Sequence, residues 1–274
     1  MLGVFIENSE GDYLNDVMNR FGDNLSVGPR GKRGKSAFDL IQWVPHAALR
    51  MFRESEKVNI YCTSETDGII FEDKKPVALK NRGLGPNAVS MHAFPKITRI
   101  HHDKYCMEFN NSLFKVDPVL SGSGPSTVIY AITFKGLGHS EVPRYLFSNE
   151  KLTRGISVSG HVWSEDTYLT IHSAGQVKEI GFDSSEWNGL FIQYKCEMGV
   201  TSCKYIFNDQ SGTLPDGPED KDEFDILYIG GHPLTDYAYH AIGSFEMYHM
   251  NRAEYLDERL GKFIVSDILE RVDE

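Results

Sequence analysis

A short segment near the end of the chain, GHPLTDYAYHA, is rich in aromatic and polar side chains that could contact a ligand. Its candidate ligand-binding residues are His232, Asp236, Tyr237, Tyr239 and His240. Binding sites combine rings, which supply apolar contact area, with a few polar groups that fix orientation. The segment therefore predicts a loop that stacks on sugar rings. The alternative is that the tyrosines pack beneath a long loop.

An acidic stretch, DGPEDKDE, carries five carboxylates between Asp216 and Glu223. Carboxylate oxygens are the hard ligands that calcium prefers. Asp216, Asp220 and Asp222 are the candidate metal ligands, and calcium is the one cofactor that the sequence suggests. Runs of charge are more often solvated loops, and that alternative remains open.

Two cysteines lie in a mirrored stretch, YKCEMGVTSCKY. If this stretch folds as a hairpin centred on the mirror, Cys196 and Cys203 face each other. A non-hydrogen-bonded antiparallel pair brings the Cβ atoms to roughly the 4 Å that a disulfide needs. The pattern predicts a disulfide and an oxidising compartment, and two unpaired core thiols are the alternative.

The sequence gives little support for a catalytic site. Glu223 and Asp225 match the first two carboxylates of a glycosidase strand, E-x-D-x-x-E, but Tyr228 stands at the third. A retaining glycosidase needs two carboxyl groups about 5.5 Å apart, one of them a proton donor. The chain contains no H-E-x-x-H and no G-x-S-x-G. The sequence therefore predicts a protein that is not an enzyme.

The composition of the chain limits the classes of partner that it could bind. The chain has 274 residues, with 28 Lys and Arg against 39 Asp and Glu, which gives a net charge of −11. Nucleic-acid binding rests on neutralising phosphates with basic residues, so the charge argues against it. No apolar run is long enough to span a membrane, and the first residues lack the features of a signal peptide. The chain has no secretory signal of its own, or it is an internal piece of a longer protein.

Most of the chain is predicted to form short β-strands. Between residues 104 and 250, ten segments rich in β-branched and aromatic residues are separated by turn residues, with no long helix between them. This spacing is typical of an antiparallel two-sheet sandwich. Helical patterns follow at Arg252–Leu260 and Lys262–Val272, where Asn251 and Glu254 fit a capping box.

The first residues differ from the rest. Gly28, Gly31 and Gly34 recur at every third position in GPRGKRGK, which is the collagen pattern. An amphipathic helix is predicted to begin near Pro45. We therefore predict an N-terminal extension over residues 1–57 and a jelly roll over residues 58–274. The triplets suggest a trimeric stalk, and a flexible basic linker is the alternative.

The order of the strand phrases resembles the laminin-G-like and concanavalin A-like lectin superfamily over about residues 104–262. The matching phrases are CMEFNNSLFKV, STVIYAITFKG, RYLFSNE, WNGLFIQYKC, CKYIFNDQSG, ILYIGGHP and YHAIGSFEMYHMNRAEYLDERL. The last two phrases are the most specific. The resemblance implies an all-β jelly roll whose rim loops bind glycans or proteins, in many members with calcium.

These observations predict a non-enzymatic module that recognises a glycan or a protein receptor. Collagen-like triplets ahead of the jelly roll suggest the head of a trimeric attachment fibre, viral or cell-surface, and hence an extracellular or virion-surface location. The alternative is a structural or assembly protein that uses the jelly roll for packing. A glycosidase is the third and weakest hypothesis.

Overall fold

The computed structural model describes residues 57–61, 68–81, 85–101, 104–117, 125–136, 143–160, 167–218, 226–234, 240–250, 253–270 and 272. The chain divides into two units, Met1–Glu54 and Ser55–Glu274, and every described residue belongs to the second. The collagen-like triplets and the helix near Pro45 lie outside the described residues. The division at residue 57 stays a prediction.

The described part of the chain is mostly β-strand. In chain order its elements are β1 (Lys57–Tyr61), β2 (Ile69–Glu72), β3 (Lys75–Leu79), β4 (Ala88–His92), β5 (Lys96–His101), β6 (Lys104–Phe109), β7 (Ser112–Val116), β8 (Ser126–Lys135), β9 (Arg144–Asn149), β10 (Arg154–Gly160), β11 (Thr167–Ser173), β12 (Gln176–Phe182), β13 (Asn188–Glu197), β14 (Val200–Phe207), β15 (Gln210–Pro218), β16 (Leu227–Ile229), β17 (His240–Met250) and helix α1 (Glu258–Glu270).

The strands form two sheets. Sheet A has the order β15-β14-β13-β8-β17-β6-β5, with β1 also paired to β17, and sheet B has the order β12-β11-β10-β9-β16-β7-β4-β3-β2. Neighbouring strands in both sheets run antiparallel. The predicted antiparallel two-sheet sandwich with a C-terminal helix is therefore confirmed.

Aromatic rings from both sheets meet in the core. Tyr130 of β8 stacks on Phe147 of β9 with ring centroids 4.3 Å apart, and Phe147 contacts Phe245 of β17 edge-on at 5.5 Å. Phe109 and Phe114 make a second cross-sheet contact at 5.9 Å. Such pairs add about 0.5–1.5 kcal/mol each beyond their buried area. They hold the two sheets face to face.

Helix α1 covers part of the outer face of sheet A. It packs on β13, β8 and β14. Gly261 allows a close approach, since a Cβ atom there would lie 2.5 Å from Ile206 Cδ1 and 2.9 Å from Phe191 Cδ1. Both faces of β8 and β13 are consequently buried, which explains why these two strands read as nearly continuous apolar runs.

The helix begins later than the sequence pattern indicates. Residues 253–257 are not helical, and α1 starts at Glu258. Asp257 caps it, because its Oδ1 accepts a hydrogen bond of 2.7 Å from the Arg259 N–H. The predicted helix over Arg252–Leu260 is thus wrong for residues 253–257.

Residues 253–257 form a strap tied to sheet A by buried polar side chains. Thr127 Oγ1 donates to the Glu254 carbonyl at 2.9 Å and accepts from the Glu254 N–H at 3.0 Å. The Gln193 amide does the same for Leu256, accepting from its N–H at 2.8 Å and donating to its carbonyl at 3.4 Å. Each of these side chains therefore bonds to both the N–H and the carbonyl of one strap residue, as the backbone of a neighbouring strand would.

Replacing Gln193 should loosen the strap. The Gln193→Ala variant leaves both polar groups of Leu256 without this partner, and we expect a loss of about 1–3 kcal/mol in the free energy of unfolding. Gln210→Ala is the matched control, since it makes the same truncation at an exposed position of β15, and it should change the free energy of unfolding little. Urea denaturation followed by tryptophan fluorescence measures both, and equal losses would contradict this account.

Candidate functional site

The outer face of sheet B carries a group of ring and hydroxyl side chains. On these strands the alternate residues, such as Ile156, Val158 and Leu227, belong to the core. Because side chains alternate along a strand, the residues between them point away from the core. The side chains on this face, called the sheet B face below, are those of Tyr145, Ser157, Ser159, Tyr168, Thr170, His172 and Tyr228.

Four rings form a continuous row across the sheet B face. Tyr228 contacts His232 edge-on with centroids 5.2 Å apart, and His232 lies 6.1 Å from Tyr145. Tyr145 in turn lies 5.5 Å from His172. The row therefore links β16, β9 and β11.

His172 is oriented by a serine of the neighbouring strand. Ser157 Oγ lies 2.8 Å from His172 Nε2. Burial lowers the pKa of His172, so the ring is neutral at pH 7. A serine beside a neutral histidine is the first half of a nucleophile and base pair. Ser157 is only 1% exposed, so the pair presents the ring of His172 rather than the serine to a ligand.

His232 is held as a neutral ring at the centre of the row. Its Nδ1 accepts a hydrogen bond of 3.2 Å from the Leu234 N–H, and its Nε2 donates to the Glu150 carbonyl at 3.1 Å. Burial lowers its pKa, partly offset by Glu150. The predicted ligand residue His232 is thus a buried support of the sheet B face.

The tyrosines of the row stay protonated. Burial raises the pKa of Tyr145, and burial together with the Glu150 carboxylate raises the pKa of Tyr228. Tyr145 is 9% exposed and Tyr228 is 5% exposed, whereas Ser159, Tyr168 and His172 are half-buried. A ligand on this face would therefore meet Tyr168, His172 and Ser159 first, above recessed phenols.

Charged side chains stand at the two ends of the face. Beside Tyr228, Lys115 Nζ lies 2.5 Å from Asp117 Oδ2, and the exposed Glu150 is close enough to affect both Lys115 and Tyr228. At the other end the exposed Glu179 is paired with Thr170 in the ladder. The central part of the face is uncharged.

Four other residues of the segment GHPLTDYAYHA were predicted to bind a ligand. Asp236, Tyr237 and Tyr239 lie outside the described residues, and His240 begins β17, where it pairs with Phe109. The prediction that the segment forms a ligand-contacting loop stays a prediction.

Of the three predicted calcium ligands, the structure describes one. Asp216 is exposed on the edge strand β15, while Asp220 and Asp222 lie outside the described residues. In the part of the chain that the structure describes, no three His, Cys, Asp or Glu side chains are grouped to hold a metal ion. The sequence also placed Asp216 in a loop, and the structure corrects this.

The predicted disulfide is wrong, because the hairpin turns one residue earlier than the mirror requires, which moves the partner of Cys196 by two positions. Glu197 pairs with Val200 across a turn whose central residues, Met198 and Gly199, both have positive φ. Cys196 consequently faces Thr201 and Cys203 faces Tyr194. Diagonal neighbours across a ladder lie roughly 7–8 Å apart, which is too far for a disulfide, and both cysteines are free thiols.

The two thiols line a buried polar cluster with Arg154. Arg154 is 2% exposed and its Nη2 donates to Cys196 Sγ. Its guanidinium carbon lies 5.2 Å from the centre of the Tyr194 ring. Burial raises the pKa of Cys203, which keeps that thiol protonated at neutral pH.

Four residues of the sheet B face were not predicted from the sequence as site residues: Tyr145, Ser157, Tyr168 and His172. Each lies in a segment that was recognised as a strand, and each alternates with core residues. The alternation in TYLTIHS could have identified Tyr168 and His172 as outward-facing. Their proximity to Tyr145 follows from the strand order, which alternation does not supply.

In the described part of the chain, no helix is both long and apolar enough to cross a membrane.

The chain matches no protein-family model and no curated protein. Among solved structures it is similar to domain 4 of AbnA, a GH43 extracellular arabinanase from Geobacillus stearothermophilus, in complex with arabinotriose. The two share 12% identity with a TM-score of 0.47 over 77% of this chain and 98% of that one.

The binding domain of botulinum neurotoxin DC is similar in two complexes. In complex with rat synaptotagmin II it shows 12% identity and a TM-score of 0.47 over 78% of this chain. In complex with SialylT it shows 11% identity and a TM-score of 0.46 over 78% of this chain. The match spans about half of each toxin chain, 52% and 51%.

Proposed function

We propose that this chain is a non-enzymatic recognition module that binds a glycan on the sheet B face. The observation that carries the proposal is the half-buried group Ser159, Tyr168 and His172, which lies beside the buried rings of Tyr228, His232 and Tyr145. These three half-buried side chains are the part of the sheet B face that a ligand can reach among the described residues.

The chemistry of the face suits sugar rings. A sugar presents apolar C–H faces and many hydroxyl groups. Rings supply apolar contact, while hydroxyl and imidazole groups donate and accept hydrogen bonds. Ser159, Tyr168 and His172 combine these features on neighbouring strands. A rigid sheet holds them in place, which lowers the entropy lost on binding.

Binding should depend on Tyr168 and His172. Truncating one of the few side chains that dominate an interface costs more than about 1 kcal/mol, so we expect Tyr168→Ala and His172→Ala each to weaken glycan binding at least about fivefold. A glycan array identifies the ligand and isothermal titration calorimetry measures the affinities. The control is Val200→Ala, an exposed change on sheet A, which should bind like the parent. Unchanged affinity in both face variants would contradict the site.

The non-enzymatic part of the proposal concerns the Ser157 and His172 pair. The glycan that binds should be recovered intact after prolonged incubation with the protein. Release of new reducing ends, lost in Ser157→Ala, would show a hydrolase instead.

We extend the proposal to assembly from the sequence alone. The triplets at Gly28, Gly31 and Gly34 favour a homotrimer, the head of an attachment fibre at a cell or virion surface, because linked sites raise avidity by roughly 10²–10⁴. Light scattering on the full chain and on a chain beginning at Lys57 tests this. We expect a trimer for the first and a monomer for the second. A monomeric full chain at micromolar concentration would leave a single-headed module.

A structural or assembly role is the second candidate. Phe71, Val89 and Phe94 are 45%, 56% and 43% exposed on or beside β2 and β4, and apolar surface of this kind favours a protein contact. A stable oligomer that binds no sugar on the array would support this role over recognition.

A further inference from the structure

The charges around the sheet B face indicate which glycans it accepts. Side chains alternate between the two faces of a strand. Among the described residues, Lys115 is the one cationic side chain that this alternation directs onto the sheet B face from β7, β9, β10, β11 and β16. Its Nζ lies 2.5 Å from Asp117 Oδ2, and this partner raises the pKa of Lys115. The one positive charge on the face is therefore already neutralised.

Carboxylates flank the same face at both ends. Glu150 is exposed beside Tyr228 and Lys115, and Glu179 is exposed on β12 opposite Thr170. Asp117 is itself 47% exposed. The protein as a whole carries a charge of −11. An acidic ligand would thus meet a net negative charge at long range, and the described residues of these five strands offer it no available cation on the face.

Recognition of an acidic sugar needs the opposite arrangement. A carboxylate or sulfate loses its hydration on binding, and an unpaired cation or several N–H groups must replace it. Placing like charges together costs affinity and slows association. Neutral sugars have no such requirement, and exposed carboxylates accept hydrogen bonds from their hydroxyl groups.

We propose, on the basis of the glycan-binding function above, that the sheet B face selects uncharged glycans and discriminates against those that carry a carboxylate or sulfate group. Lys115 and Asp117 set this preference as a pair, because Asp117 keeps the ammonium group of Lys115 from binding an anion.

The direct test compares one glycan with and without a terminal sialic acid. Calorimetry should show that the sialylated form binds the full chain at least about tenfold more weakly. The difference should shrink as NaCl rises from about 50 to 500 mM, because salt screens repulsion between exposed charges. Equal or tighter binding of the sialylated form would overturn the inference while leaving the glycan-binding function intact. Binding of neither form, with no hit on a neutral array, would overturn both.

A single substitution tests the role of the pair. Asp117→Asn keeps the shape of the side chain and leaves Lys115 without its carboxylate. We expect the ratio of the neutral-glycan affinity to the sialylated-glycan affinity to fall several-fold. Glu179→Gln is the matched control, since it removes one charge from the other end of the face and frees no cation. If both variants shift the ratio equally, long-range charge alone sets the preference, and the role given to Lys115 and Asp117 is wrong.

Discussion

The Gly155→Ala variant is expected to lose about 4 kcal/mol of its free energy of unfolding, or to fail to fold. Gly155 has φ of +154°, and a Cβ atom there would lie 2.5 Å from the Phe147 carbonyl oxygen and 2.9 Å from Ser148 Cα. Those atoms belong to the backbone of β9, which is fixed by its pairing with β10 and β16. Strain at such a position costs about 1–3 kcal/mol, and the clash with backbone adds to it.

Gly175→Ala is the matched control. Gly175 also has positive φ, +81°, but a Cβ atom there would meet nothing within 4 Å. Its cost should therefore be the left-handed strain alone, about 1–2 kcal/mol. Guanidinium denaturation of both variants separates strain from steric overlap. Equal losses would show that β9 yields and that the clash is unimportant.

Acid is expected to destabilise the protein through the two histidines of the ring row. Burial holds the pKa of His172 and His232 below the ordinary value in the folded state. The unfolded chain therefore binds more protons as the pH falls below about 6.5. The stabilisation is fully present above that pH and is lost as the pH falls through the folded pKa values. Within this window each histidine contributes a slope of up to about 1.4 kcal/mol per pH unit.

Protonation also disrupts the local contacts. Nδ1 of His232 accepts from the Leu234 N–H, and an imidazolium cannot accept. Denaturation curves at pH 7.5, 6 and 5 should show a decline that is smaller in the double variant His172→Gln/His232→Gln, whose amides do not titrate. Parallel declines in the parent and the double variant would assign the acid sensitivity to other groups.

Much of the fold could be predicted because the strands are strongly patterned. The segment RYLFSN was predicted as a strand over the residues that β9 occupies. Strand β15, which contains the sequence SGTLPDGP, escaped because Gly, Pro and Asp are depleted in strands. It forms nonetheless at the edge of sheet A, where pairing with β14 alone defines it. Tertiary pairing overrides local propensity at such an edge.

The register of a hairpin depends on the geometry of its turn and not on a mirror symmetry in its sequence. The mirrored cysteines suggested a centre between Gly199 and Val200, whereas the chain turns at Met198 and Gly199. A two-residue turn with positive φ at both positions matches the twist of the flanking strands, and glycine suits its second position. The favourable turn therefore decided which residues face each other.

The types of residue in the candidate site could be predicted from the sequence, but not which of these residues lie together. His232 was recognised, yet its partners Tyr145 and His172 are far away in sequence and come together through the order β11-β10-β9-β16. That order places β16 beside β9 although many residues separate them along the chain. Alternation identifies which side chains share a face, and the long-range pairing decides which of them touch.

Strand β17 has a consequence for how the protein is made. It pairs with β8 along one side and with both β1 and β6 along the other, so the first and last described strands of the chain meet in it. While a ribosome is still translating, the backbone edge of β8 waits without its neighbour until residues 240–250 have emerged. Contacts of such long range form slowly, and an exposed strand edge invites pairing with other chains. Yield during expression should consequently respond to translation speed and to chaperones that shield strand edges, more than to changes on the finished surface.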